Sequence, residues 1–186
     1  SSAETLVVYV DSGSTDGSVE YAQSTGCQVV CLDMSVPFTA ARARNAGFQH
    51  ALSSLPGLIS VQFVDGDCEI VKGWLESAMS FLDANPSVAV VCGEVHERYP
   101  EKSLYNQLCD IEWQGPSGLV KSCGGNAMIR VIALRQAGGY RPDLIAGEEP
   151  ELCVRLRASG WQIWRLGQSM VFHDAAMYHL VQWWNR

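Results

Sequence analysis

The sequence has no run of apolar residues approaching the roughly 18 that a membrane-spanning helix needs. Its N-terminal residues carry no signal-peptide pattern. Cys-x-x-Cys does not occur, and the seven cysteines (Cys27, Cys31, Cys68, Cys92, Cys109, Cys123 and Cys153) are odd in number and lie mostly in apolar surroundings. That usage disfavours a zinc ribbon or a disulfide framework and predicts reduced core thiols in a cytoplasmic protein. No Gly-x-Gly-x-x-Gly follows an apolar run, which weighs against a dinucleotide-binding dehydrogenase. Basic residues are scarce, 13 Lys and Arg against 20 Asp and Glu, for a net charge of −7. Such a balance argues against a general nucleic-acid binder. It leaves a nucleotide open, because a bound metal reverses the local sign. Internal repeats, low-complexity segments and linkers are also absent, so one domain spanning residues 1–186 is expected.

What is present has the composition of a globular α/β protein, 47% hydrophobic and 18% charged. Residues 5–10 form a continuous apolar, β-branched run that reads as a buried parallel strand. The turn Asp11-Ser12-Gly13-Ser14-Thr15-Asp16-Gly17 follows, with Thr15 or Asp16 placed to cap a short helix. A second strand over 27–32 completes a βαβ unit. The pattern then predicts a helix over 39–55, a strand over 59–64, an amphipathic helix over 72–82 and a strand over 88–92. Residues 94–121 lack a clear period, and one helix around 103–111 is expected there. Beyond them come a strand over 123–130, helices over 131–137 and 148–159, and two last strands over 161–166 and 170–173.

The chemistry centres on Val61-Gln62-Phe63-Val64-Asp65-Gly66-Asp67, an apolar strand ending in two carboxylates around a glycine. Open α/β sheets bind ligands at that edge, and two hard oxygen donors so close suit Mg²⁺ or Mn²⁺ holding a diphosphate. Taken alone, Asp65 and Asp67 read better as ordinary strand-end turn residues, so the rest of the chain decides.

Six stretches in order resemble family 2 glycosyltransferases of the GT-A fold. They are Asp11 to Gly17, Ala43-Arg44-Asn45-Ala46-Gly47, Asp65-Gly66-Asp67, Gly124-Gly125-Asn126 with Gly138-Gly139-Tyr140, Gly147 to Trp161 with its Glu148-Glu149 pair, and Phe172-His173. The resemblance covers nearly the whole chain. It implies a three-layer sandwich around a mostly parallel central sheet, with a nucleotide-binding half over 1–92 and an acceptor-side half over 93–186. It also implies transfer of a sugar from a nucleotide-diphosphate sugar to an acceptor hydroxyl of a glycan, lipid or small molecule, usually with inversion.

In that resemblance Asp67 is the metal-binding aspartate, Asp65 shares the metal or contacts the ribose, and His173 is a further metal ligand. Asp11 reads the nucleobase, and Arg44 either helps it or forms a salt bridge. Glu149 is the general base, with Glu148 as the alternative because the family more often shows Glu-Asp at this place. Trp74, Trp161 and Trp164 read as core, and Trp113 as a candidate lining of the acceptor site.

The chain departs from the family in two ways. The family's first strand and helix have no counterpart, so an N-terminally truncated fold is expected, with a gap, a changed strand order or a swapped partner in its sheet. Ser12 stands where a second aspartate is frequent. Two other functions fit the sequence: a degenerate nucleotide-sugar-binding module without turnover, and a haloacid-dehalogenase-type phosphatase with Asp65 as nucleophile and Asp67 as general acid. Any membrane association would run through segments outside this chain, with the Trp183-Trp184 tail leading toward the inner face of the membrane.

Overall fold

The apolar run near the N-terminus forms β1 (Val8–Asp11), and a left-handed turn at Gly17 starts α1 (Ser18–Ser24). Asp16 accepts from the Ser18 amide and hydroxyl, while the residue at the cap position itself is Gly17. Strand β2 (Gln28–Cys31) returns parallel to β1, as a βαβ unit must. The coordinates are a computed structural model and describe residues 5–184. Then follow α2 (Ala40–Ser54), β3 (Ser60–Phe63), β4 (Cys68–Ile70), α3 (Trp74–Ala84) and β5 (Val88–Glu97). A 3₁₀ turn (Pro100–Lys102), α4 (Leu104–Trp113), β6 (Gly118–Val120), β7 (Ala127–Arg130) and α5 (Val131–Gln136) come next. The last elements are α6 (Glu148–Ala158), β8 (Gln162–His173) and α7 (Leu180–Trp184).

The larger sheet has the order β3-β7-β5-β8-β4, with β6 paired to the first part of β8. Strands β3, β5 and β8 share one direction, and β7 runs against its two neighbours. Strands β1 and β2 pair only with each other, so the sheet is interrupted between the two ladders among the described residues.

Successive residues of a strand point to opposite faces. Val88, Ala89, Val90 and Val91 of β5 are all buried, so both faces of the central sheet are covered. Trp74 lies against this core with its indole N–H donated to Gln62 Oε1 at 2.8 Å. Gly93 has no room for a side chain, since a Cβ would stand 2.6 Å from Trp74 Cζ3.

Several features differ from the sequence reading, among them β5, which runs on to Glu97 instead of ending at Cys92. The two strands expected at 161–166 and 170–173 are one strand, because β8 continues through Gly167 while pairing with β5 and then β4. Strands β4 and β6, each three residues long, lie in stretches read as turn and loop. Both exist through pairing with β8.

A buried polar knot holds the chain after β8. Glu97 accepts from the amides of Tyr99 and Ala175, each at 2.9 Å, and from Asn106 Nδ2 at 3.1 Å. Asn106 Oδ1 accepts from the Met177 amide at 2.9 Å. Truncation would leave these buried partners unsatisfied. Asn106→Ala is expected to lower unfolding free energy by about 1–3 kcal/mol, read as a lower urea midpoint at unchanged slope.

Candidate active site

Pairing between strands assembles the site. Because β3 and β7 are antiparallel, the end of β3 lies beside the start of β7, which brings Asp65 to Gly125 and Asn126. His173 ends β8 opposite Cys68 of β4 and Glu97 of β5, which brings it to Asp67. Helix α2 starts at Thr39, whose hydroxyl accepts from the Arg42 amide and donates to the Pro142 carbonyl, each at 3.1 Å. Asn45 on α2 donates to the Tyr140 carbonyl at 2.8 Å and accepts from its amide at 2.9 Å. These bonds fasten the segment that leads into α6.

Arg44 spans the site from this helix. One arm meets Asp65 at 2.8 Å, and the other meets Glu148 at 2.6 Å and Glu149 at 2.7 Å. Its guanidinium also lies over the Tyr140 ring. Burial works against the charge of Arg44, but Glu149 and Asp65 outweigh it and hold the group firmly protonated. Of the two roles open to Arg44 from sequence, the geometry is that of the salt bridge. Burial pushes the Glu149 carboxyl above its ordinary value, a rise that Arg44 partly opposes.

Asp65 uses one carboxylate oxygen for Arg44 and the other for Asn126 Nδ2 at 3.2 Å, while its amide donates to Asn126 Oδ1 at 3.0 Å. Gly125 is required beside this pair: a Cβ there would stand 2.5 Å from both Arg44 Nη2 and Asp65 Oδ2. Gly125→Ala is expected to force the ion pair apart and cost about 1–3 kcal/mol of stability, measured as a fall in the thermal midpoint. A neighbouring change at Gly124, whose Cβ position is open, is the control.

Asp67 Oδ2 and His173 Nε2 are 3.0 Å apart, and the Cys68 thiol joins them in a group whose ligand atoms lie within 4.8 Å of one another. The His173 hydrogen bond draws the Asp67 carboxyl down, against its burial, and Asp67 in turn raises His173. Burial, then the charge of Asp67, pushes the Cys68 thiol up to about 12, so it stays protonated. What remains is one carboxylate oxygen and one imidazole nitrogen. This donor set fits Mn²⁺ or Mg²⁺, which take one or two protein ligands and leave other positions to phosphate and water. Each Asp65 oxygen already accepts one hydrogen bond, from Arg44 or Asn126, while Asp67 and His173 face each other directly.

The Trp113 ring stacks on His173, with centroids 4.6 Å apart at 13°. Both line a cleft of about 320 Å³ that also reaches Asp65, Gly125 and Arg165. Asp11 stands apart at the end of β1, accepting from the Gly13 amide at 2.8 Å and the Ser14 amide at 3.1 Å. Hydrogen bonds from Ser14 and Gly13 lower its carboxyl. The structure brings together Asp65, Arg44, Glu148 and Glu149, and separately Asp67 and His173; the sequence reading grouped Asp65 with the metal ligands and offered Arg44 as a helper of Asp11. It misses Asn126 as the residue that orients Asp65. The available signal was the Gly124-Gly125-Asn126 step into a strand.

The sheet, with its acidic turn after β3 and a histidine closing β8, defines a GT-A glycosyltransferase fold. Solved structures share it. A mannosyltransferase from Pyrobaculum calidifontis in complex with GDP-Man and Mn²⁺ matches at 21% identity and TM-score 0.63, over 89% of this chain and 46% of its own. Glucosyl-3-phosphoglycerate synthase from Mycobacterium tuberculosis matches at 17% and 0.58, over 90% of this chain and 60% of its own. The succinoglycan biosynthesis protein ExoA of Rhizobium meliloti (strain 1021) is 27% identical over 95% of this chain, which spans 56% of ExoA. The model of the family described as "Glycosyl transferase family 2" matches residues 4–136, and the chain belongs to that family. Among the described residues no helix is long and apolar enough to cross a membrane.

Proposed function

We propose that the chain transfers a sugar from a nucleotide-diphosphate donor to an acceptor hydroxyl, with inversion at the anomeric carbon and with Mn²⁺ or Mg²⁺ held by Asp67 and His173. The observation that carries this reading is the Asp67–His173 pair, 3.0 Å apart at the sheet edge that also holds the Arg44 cluster. The mannosyltransferase neighbour, solved with GDP-Man and Mn²⁺, supports it. Family membership and the position of the Asp-Gly-Asp turn, well inside the fold, weigh against the phosphatase.

The bound cation would supply positive charge to the leaving diphosphate oxygen. Glu149 accepts the proton of the acceptor hydroxyl as that oxygen bonds to the anomeric carbon. The bond from that carbon to the diphosphate breaks on the opposite face, and the nucleoside diphosphate leaves with the electron pair. Arg44 fixes Glu149 relative to Asp65, and Asn126 fixes Asp65. Asp11, at the end of β1, is assigned to the nucleobase. The seven cysteines, all free thiols, suit a cytoplasmic location.

The test is a donor screen with UDP- and GDP-sugars in Mn²⁺, scored by nucleoside diphosphate release. Release with at least one donor, abolished by EDTA, is expected. Nucleotide binding without release from any donor would favour a binding module without turnover.

A further inference from the structure

Most arginines held against this fold have their donors well used. Arg44 meets three carboxylates, Arg42 the carbonyls of Asp33, Val36 and Pro37, and Arg130 those of Leu82, Asn85 and Val88. Arg165 differs. Its guanidinium has five N–H donors, yet its one hydrogen bond is from Nη2 to the Trp113 carbonyl at 2.9 Å. Its Nε is sealed from solvent and has no hydrogen-bond partner among the described residues. No carboxylate lies within 4.0 Å of it among the described residues. The residue as a whole is half-buried, and a sealed N–H without an acceptor is costly and rare in folded proteins.

The group is also built into the cleft rather than left on the surface. Arg165 sits on β8 between Cys92 of β5 and Gly118 of β6, and it lines the same cleft as Trp113 and His173. The chain after α4 passes close over it: a Cβ on Gly115 would stand 3.1 Å from Nη1. Trp113 links the two ends of the cleft, its ring on His173 and its carbonyl on Arg165. Arg165 and His173 pair with β5 residues five positions apart, Cys92 and Glu97. At the rise of a strand their backbones are roughly 16 Å apart. Arg165 thus stands toward the other end of the cleft from the Asp67–His173 pair.

From this we infer that Arg165 is an anion-binding residue of the acceptor side, receiving a carboxylate or phosphate carried by the molecule that accepts the sugar. The inference rests on the glycosyltransferase reading for the word acceptor; the anion site itself rests on Arg165. Planar guanidinium donors match the two oxygens of either group. The acceptor is thus an acidic sugar or a phosphorylated compound rather than a neutral glycan, and Arg165 selects it.

Titration calorimetry in EDTA with D-glucuronate, D-glucose 6-phosphate and D-glucose tests this, using the parent chain, Arg165→Gln and Arg165→Lys. The parent is expected to bind at least one anionic sugar about tenfold or more tightly than glucose. Arg165→Gln should lose that preference, Arg165→Lys should regain part of it, and binding of UDP or GDP with Mn²⁺ should stay unchanged in all three. The Lys variant and the thermal midpoints show whether the fold is retained. Absence of an anion preference in the parent, or its survival in Arg165→Gln, overturns the proposal. Loss of Mn²⁺-dependent nucleotide binding in Arg165→Gln also overturns it, by assigning Arg165 to the donor. An Arg165-dependent preference without any nucleotide binding would sink the glycosyltransferase reading and keep the anion site.

Discussion

Glu149→Gln is expected to reduce kcat by about 10²–10⁴-fold, the range for loss of a positioned general base. Binding of UDP or GDP with Mn²⁺ should change little, because the variant keeps an oxygen that can accept from Arg44. The size of the effect follows from the chemistry: a neutral hydroxyl attacks poorly until its proton has somewhere to go. Burial raises the Glu149 carboxyl, which strengthens it as a base and moves the acid limb of the rate. In the parent, kcat should fall as pH drops through a value above the ordinary glutamate range, since the proton then blocks the acceptor role. Glu148→Gln is the companion variant, because Glu148 shares the same arm of Arg44. A large loss in Glu148→Gln with parent rates in Glu149→Gln would transfer the base to Glu148.

Asp67→Ala is expected to remove the metal dependence of nucleotide-diphosphate binding altogether. Its carboxylate is the only one in the group formed with Cys68 and His173. The variant would leave His173 with the Cys68 thiol, whose burial disfavours the thiolate a cation would need. Affinity in Mn²⁺ should fall by at least about 100-fold, beyond the loss typical of outer-shell changes, and should match the affinity in EDTA. His173→Ala is expected to weaken binding in the same direction but to retain some Mn²⁺ response through Asp67.

The local elements were largely legible because their signals are local. The apolar stretches ending at Asp11 and before Asp65 are β-branched and bounded by turn residues, and β1 and β3 form there. The Ala-rich stretch after Thr39 carries its own cap, and Pro56 follows its end. Strands β4 and β6 were not legible, since three residues carry no period and their order comes from β8. β8 itself reads as two pieces because Gly167, Gln168 and Ser169 interrupt its apolar pattern, yet pairing with β5 carries it through.

The site divides in the same way. Asp67 and His173 could be named from motifs, but their 3.0 Å approach depends on β4 pairing with β8. The role of Arg44 could not be settled from sequence, because the glutamates it holds are about a hundred positions further along the chain. In the sequence Gly125 read only as part of a strand over 123–130 and of a family motif. Its lack of a side chain matters because Arg44 and Asp65 meet where a Cβ would be. Arg165 gave no signal at all, since an arginine in an apolar strand shows neither its cleft nor its missing partner.

The most direct measurement is titration calorimetry of the parent chain and Asp67→Ala with UDP and GDP, in Mn²⁺ and in EDTA. The account predicts that the parent binds one of the two nucleotides in Mn²⁺ and loses that binding in EDTA, and that Asp67→Ala does not respond to Mn²⁺. Equal binding in Mn²⁺ and EDTA by the parent, or a full Mn²⁺ response in Asp67→Ala, would contradict it.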